Sequence, residues 1–367
     1  MKYLIGSASV FAVFASSAFA GGLDRSGQNI GMIFEKGDYA ELSFGAVSPN
    51  VSGTAIPALG GFSSGNMAGT YLQFGGAIKH SYDNGLDVAL IFDQPFGADV
   101  DYPAATGYYA GGAIAELNTN AITGVVKYTT ANDISVYGGV RYQTLEALAD
   151  VPFIPTIGYD AVGESDGGFG YLVGVAYERP EIALRVALTY NSKITHELAT
   201  TENSVLGAGN TSTLEIVTPQ SINLDVQSGI AKDTLIFGSI RWAQWSEFDI
   251  SPDDYVAITG VPLVSYEDDR ISYSLGIGRR FNENYSGAFT LGYEAQAGGI
   301  SSNLGPTDGH FTVGLGGSYT KDNVKISAGV RYVMIGDAQT QIGAAIPAAD
   351  FENNHAWGFG IKIGYSF

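Results

Sequence analysis

No cysteine occurs among the 367 residues, so no disulfide holds the fold, and stability must come from hydrogen bonding and burial alone. Charge is scarce at 15%, and proline contributes only 12 residues. Lys and Arg number 18 against 37 Asp and Glu, and a net charge of −19 leaves no basic footprint for nucleic acid. The four histidines, His80, His196, His310 and His355, are scattered without the spacing of a metal site or a catalytic triad, so neither an enzyme nor a bound metal or cofactor is expected. A phosphate-cradling glycine loop is also missing, because the glycines alternate within strand-like segments. No segment approaches the ~20 continuous apolar residues of a membrane helix.

What the chain has in excess is glycine, tyrosine and phenylalanine, at 50, 22 and 19 residues. Glycine at this level disfavours a helical core. The last eleven residues carry Trp357, Phe359, Ile361, Ile363, Tyr365 and Phe367 at every odd position, separated by Gly358, Gly360, Lys362, Gly364 and Ser366. A period of two puts these sets on opposite faces of a strand, and the apolar set reads as a face toward lipid. At the other end, Met1 to Ala20 has one early Lys, an apolar stretch from Tyr3 to Phe14 and a small-x-small site at Ala18-Phe19-Ala20. A secretory signal over 1–20, cleaved after Ala20, is expected, with the bacterial outer membrane as destination. A closed all-β transmembrane barrel is the fold that suits such a chain.

Turn residues give the topology. Short polar turns recur at Asp83-Asn84-Gly85, Ala131-Asn132-Asp133, Glu178-Arg179-Pro180-Glu181, Lys232-Asp233, Asn282-Glu283-Asn284 and Lys321-Asp322-Asn323. Six hairpins plus one strand at each end predict about fourteen antiparallel strands over 38–367, an even number as such barrels require. Longer stretches at 49–68, 96–107, 147–167, 195–217, 250–268, 298–308 and 338–351 read as the outer loops. Their acidic clusters, such as Asp253-Asp254 and Glu267-Asp268-Asp269, read as solvated charge rather than as a cation site. Tyr82, Tyr128, Tyr177, Phe281 and Tyr319 stand near the short turns as an interfacial girdle.

The same alternation assigns faces. A midplane Arg or Lys toward lipid costs roughly 2–4 kcal/mol, so Arg141, Arg185, Arg280, Lys325, Arg331 and Lys362 are expected inside. The strand around Leu235 to Trp245 alternates poorly, and there the cost argument alone turns Arg241 inward. Asp87, Asp93, Asp225 and Glu294 share the inward register, so mutual pairing is the plain expectation, with one or two cations left to hold an anionic head group. Before the first strand, 21–37 contains Leu23, Ile30, Met32, Ile33 and Phe34, too many apolar side chains for a tail in water. A short plug folded into the lumen is expected. At the end of the third strand, Pro95 lacks an N–H and Gly97 tolerates a kink, so pairing is expected to break beside Phe96.

Several segments resemble one family. Gln94-Pro95-Phe96-Gly97, Thr218-Pro219-Gln220-Ser221, Trp242 through Phe248 and the closing Phe351-Glu352 to Phe367 are similar, in this order, to elements of the FadL-type long-chain fatty acid and hydrocarbon transporters. The resemblance covers nearly the whole mature chain with individually loose motifs. It implies a fourteen-stranded barrel with an N-terminal hatch, capture of hydrophobic molecules outside, and sideways release through an opening at the third strand, here Pro95, Phe96 and Gly97. The implied partners are a hydrophobic ligand, outer-membrane lipid and lipopolysaccharide, and the barrel-assembly machinery at Phe367, with a monomer expected. One departure is the hatch, shorter than the family's and without its Asn-Pro-Ala element. The competing readings are a general porin for polar solutes and a barrel that acts only through its loops.

Overall fold

In the computed structural model, which describes residues 22–154, 157–342 and 346–367, the alternating segments pair as fourteen antiparallel strands. They are β1 (Tyr39–Asn50), β2 (Tyr71–Ser81), β3 (Leu86–Asp93), β4 (Ile114–Thr129), β5 (Ile134–Val151), β6 (Tyr159–Arg179) and β7 (Leu184–Asn191). The second half comprises β8 (Ser221–Ala231), β9 (Thr234–Ala243), β10 (Arg270–Arg280), β11 (Tyr285–Glu294), β12 (His310–Lys321), β13 (Val324–Ile335) and β14 (His355–Ser366). β14 closes on β1 in an unbroken register from Tyr39 opposite Ser366 to Asn50 opposite His355. All six short turns fall where the sequence places them. The expected signal at 1–20 lies outside the described residues.

The outer ends differ from the expected irregular loops. Residues 195–217 form a hairpin, Ile194–Ser204 with Gly207–Thr218, which prolongs β7 and β8 past Ser192-Lys193 and Pro219-Gln220. Its polarity is the reverse of the membrane zone: Leu198, Leu214 and Ile216 are buried inward while Glu197 and Glu215 are exposed. Water, not lipid, bathes the outer face there, so the pattern reads as polar loop although its period is still two. Gly53–Ala55, Ile300–Ser301, Ala338–Ile342 and Ile346–Phe351 build a separate small sheet around the fully buried Phe351, and Asp253–Thr259 is a short helix.

Inside the barrel, several glycines are covered by aromatic rings. A side chain at 364 would overlap the Tyr39 ring, one at 174 the Tyr137 ring, and one at 276 the Phe237 ring. Each ring lies across a glycine on the neighbouring strand, an arrangement in which the aromatic covers the bare backbone. Phe237 and Leu235 face inward, and that explains why the ninth strand alternates poorly. Gly364→Val is therefore expected to displace Tyr39 and destabilise the barrel by about 1–3 kcal/mol, read as a lowered urea midpoint in a refolding titration.

Candidate functional site: the lumen and a gap in the wall

β2 and β3 pair only from Gly76 opposite Phe92 to Ser81 opposite Asp87. Beyond Asp93 the chain turns inward through Gln94-Pro95-Phe96 and then resumes along β4 as Gly97–Asp101. Tyr71 to Gly75 consequently have strand pairing on the β1 side but none on the β3 side. Above them a bridge between Ala68 and Val100 closes the sheet again. The result is a gap in the wall between Tyr71–Gly75 and the kink.

Side chains replace the missing ladder. The Phe74 N–H donates to Gln94 Oε1 across the gap at 2.9 Å, and Gln94 Nε2 donates to Asn120 Oδ1 at 3.2 Å. Thr119 Oγ1 accepts from the Phe96 N–H at 2.8 Å and donates to the Phe96 carbonyl at 2.7 Å. The Phe96 ring, buried inside, stands edge-on to Trp245 with centroids 5.7 Å apart.

The N-terminal segment supplies the rest. The Gly97 N–H donates to the Leu23 carbonyl at 2.9 Å, and the Arg25 N–H donates to the Pro95 carbonyl at 2.8 Å. Asp24 Oδ2 accepts from Arg241 Nε at 2.8 Å and Nη2 at 2.7 Å, with both side chains buried. Arg241 Nη1 also donates to Ser221 Oγ and Asn223 Oδ1, each at 2.8 Å. Lower down, Ile30, Met32 and Ile33 are buried in one cluster with Ile91, Val125, Tyr137 and Leu172. Phe34 stands edge-on to Tyr137 and lies 4.6 Å from the Arg185 guanidinium carbon.

Two hollows flank this segment. A cavity of about 160 Å³ is lined by inward residues, among them Ser26, Met32, Asp93 and Lys362, and also by Phe44, Phe74, Phe92 and Phe359, which are exposed on the outer face. It lies on the lumen side of the gap, against Gln73 to Gly76 of β2 and the Asp93-Gln94 turn. A second, of about 50 Å³, lies under the outer loops and is walled by Leu23, Ala98, Ala115, Leu117, Ala149 and Leu214. Leu23 lines the upper hollow and Ser26 the lower, so only Asp24 and Arg25 lie between them in the chain.

The sequence profile of a family described as outer membrane protein transport protein (OMPP1/FadL/TodX) matches residues 80–367. The chain belongs to this family. It is thus an outer-membrane transport protein, not an enzyme. Among solved structures, a FadL homologue from Pseudomonas aeruginosa superposes with a TM-score of 0.77 at 12% identity, covering 96% of each chain. The Pseudomonas putida toluene transporter TodX gives 0.66 at 12% identity over 99% of this chain and 98% of its own. The Ralstonia pickettii toluene transporter TbuX gives 0.65 at 12% identity over 91% and 90%. A comparison with curated proteins returns no match.

The expected basic residues of this FadL-type barrel occupy distinct settings. Arg141 is buried, donating from Nε to Thr123 Oγ1 at 2.9 Å and from Nη1 to Asn191 Oδ1 at 3.4 Å, both neutral acceptors. Lys362 pairs with Glu41 at 3.1 Å and lines the gap cavity together with Arg331. Lys325 is half-buried on the inward register of β13. Arg280 shares that inward register on β10 but sits half-exposed at the rim, paired with Asp233 of the adjoining turn. Of the inward acids, Asp87 lies 3.0 Å from Lys127 and 3.6 Å from Lys79, and Glu294 accepts from Ser272 at 2.7 Å. Sequence reasoning missed Gln94 as the bridge across the gap and Asp24-Arg25 as anchors. The one signal for the anchors was a charged pair inside an otherwise weakly charged segment.

Two outcomes follow from these pairings. Asp24→Asn alone is expected to cost about 3–5 kcal/mol by leaving Arg241 buried without its carboxylate, while Asp24→Asn with Arg241→Met recovers most of that loss, as read by urea unfolding. At the rim, the hydrogen bonds from Arg280 hold the Asp233 carboxyl below its ordinary range. A depressed carboxylate stabilises the fold above its unfolded pKa and loses that contribution as pH falls through the folded one. The unfolding midpoint should therefore drop below pH ~3.9, and Asp233→Asn should lessen the slope there.

Proposed function

We propose that this protein is a passive channel for hydrophobic or amphipathic small molecules, such as hydrocarbons or long-chain fatty acids. They are captured under the outer loops and released sideways through the wall at β3. The observation that carries the reading is the gap itself, where Tyr71–Gly75 have no partner on the β3 side and the cavity of about 160 Å³ lies against them and Gln94. A polar solute gains nothing from such a route, whereas an apolar one leaves water at the upper hollow and meets lipid at the gap, moving down its gradient without nucleotide chemistry. The N-terminal segment acts as the plug, because Leu23, Ile30, Met32 and Ile33 fill the interior that an aqueous channel would need. The similar solved structures, a FadL homologue and a toluene transporter, support this substrate range. Of the lumen cations, Arg331 and Lys362 line the lower hollow, where an anionic head group would meet them. The exposed Phe367, edge-on to Tyr365 at the end of β14, is the element offered to the assembly machinery.

A link across the gap tests the route. With Phe74→Cys and Gln94→Cys joined by a short bifunctional thiol reagent in a chain that has no other cysteine, uptake of a labelled hydrophobe by cells should fall, and the unlinked double variant should still transport. Unchanged uptake after linking overturns lateral release. Large, steady single-channel conductance of the purified protein overturns the hydrophobic channel in favour of a porin.

A further inference from the structure

The bonds that hold the N-terminal segment differ greatly in strength. Its backbone is tied to the kink by the pairings of Leu23 and Arg25, Asp24 is locked into the buried two-point ion pair with Arg241, and Ser26 Oγ donates to Asp93 Oδ2 at 2.6 Å. Separating a buried ion pair is strongly unfavourable, so withdrawal of the whole segment is a costly motion.

The Arg25 side chain is held otherwise. Its guanidinium lies directly against Gly97, in space that any Cβ at 97 would fill. Nη2 is 2.5 Å from Asp99 Oδ2, and the guanidinium carbon stands 4.1 Å from the centre of the Tyr71 ring. Gly97 and Asp99 belong to one edge of the wall gap and Tyr71 to the other, so this single side chain crosses the top of the gap. Its hold is weak on three counts. The Asp99 side chain is 31% exposed, which lowers the value of the ion pair. Arg25 Nε is buried without a hydrogen-bond partner, which costs free energy in the closed position. Arginine also has rotamers to move through without any change of backbone.

We propose that the gate of the wall gap is the Arg25 side chain, which swings off Tyr71 while the backbone of the segment and the Asp24–Arg241 pair stay in place. The inference rests on the lateral-release reading and adds that the moving part is one side chain rather than the plug. Once Arg25 has left, the Tyr71 ring and the bare Gly97 form an apolar edge for a passing molecule. Gly97 then has a function beyond kinking the chain, since a side chain there would expel the guanidinium and leave the top of the gap without its bolt.

The test uses the full chain in cells and follows uptake of naphthalene as a neutral apolar probe. Arg25→Ala should raise the rate about fivefold, the ratio that a weak ion pair of this kind would hold back. A second variant, Gln28→Cys with Ser221→Cys, at a pair joined by a 2.9 Å hydrogen bond and lining neither hollow, pins the segment to β8 when oxidised, and its oxidised and reduced forms should transport at equal rates. Folding is confirmed for each variant by heat-modifiable migration on gels. Unchanged or slower uptake in folded Arg25→Ala overturns the gate, as does uptake that is lost on oxidation of the pinned variant and restored by reductant. If the Phe74–Gln94 link blocks uptake while Arg25→Ala changes nothing, only the gate falls. If neither changes uptake, lateral release falls with it.

Discussion

In lipid every backbone N–H and C=O has to find a partner within the protein, and the whole architecture follows from that constraint. A sheet meets it only by closing on itself, as β14 does on β1. Closure explains how a chain without cysteine and with little proline can be stable, because the ladder itself is the cross-link. It also explains why so much glycine is tolerated: with the backbone fixed by neighbours on both sides, bare positions become seats for rings such as Tyr39 and Tyr137.

Against that constraint, the break at Pro95 is the costly feature of the molecule. A proline cannot donate to the ladder, and its neighbours on β2 lose their partners with it. The debt is met by three unrelated groups: the Gln94 amide, the Thr119 hydroxyl and the peptide groups of Leu23 and Arg25. A structural accident would be repaired by restoring a strand. Here the repair is made of side chains and of a segment anchored elsewhere, so the wall holds together at a place where it is not a wall. The N-terminal segment is thus part of the sheet as much as a filling for the lumen.

Much of this was legible in the sequence, for physical reasons that differ along the chain. The strands crossing lipid alternate strictly, because lipid penalises every polar residue on the outer face, and the closing strand from Trp357 to Phe367 is the clearest instance. Arg241 could be turned inward by cost alone in a strand whose pattern was otherwise unreadable. Above the membrane the penalty disappears, and the same period of two in 195–217 carries its apolar residues inward, where composition suggested only loop. Pro95 marked the break, but nothing local marked its repair. Gln94 reaches the N–H of Phe74, twenty positions earlier, and Asp24 reaches Arg241, 217 positions away. Such pairings are set by closure of the barrel, which a reading of local spacing does not contain.

The charges of the lumen lead to the final step. A pore for ions or polar solutes works by leaving charged groups available to water along its length. In this interior Asp24, Glu41 and Asp87 face Arg241, Lys362 and Lys127 at 2.7 to 3.1 Å, and the first of these pairs lies in the path between the two hollows. Paired and largely buried, these groups hold the N-terminal segment and the wall in register and present little free charge to a passing solute. What remains open are the hollow under the loops, walled by alanine and leucine, and the one beside the gap, lined by polar groups and phenylalanines together. An interior that commits most of its charges to its own architecture and keeps carbon around the hollow under the loops favours molecules that water rejects.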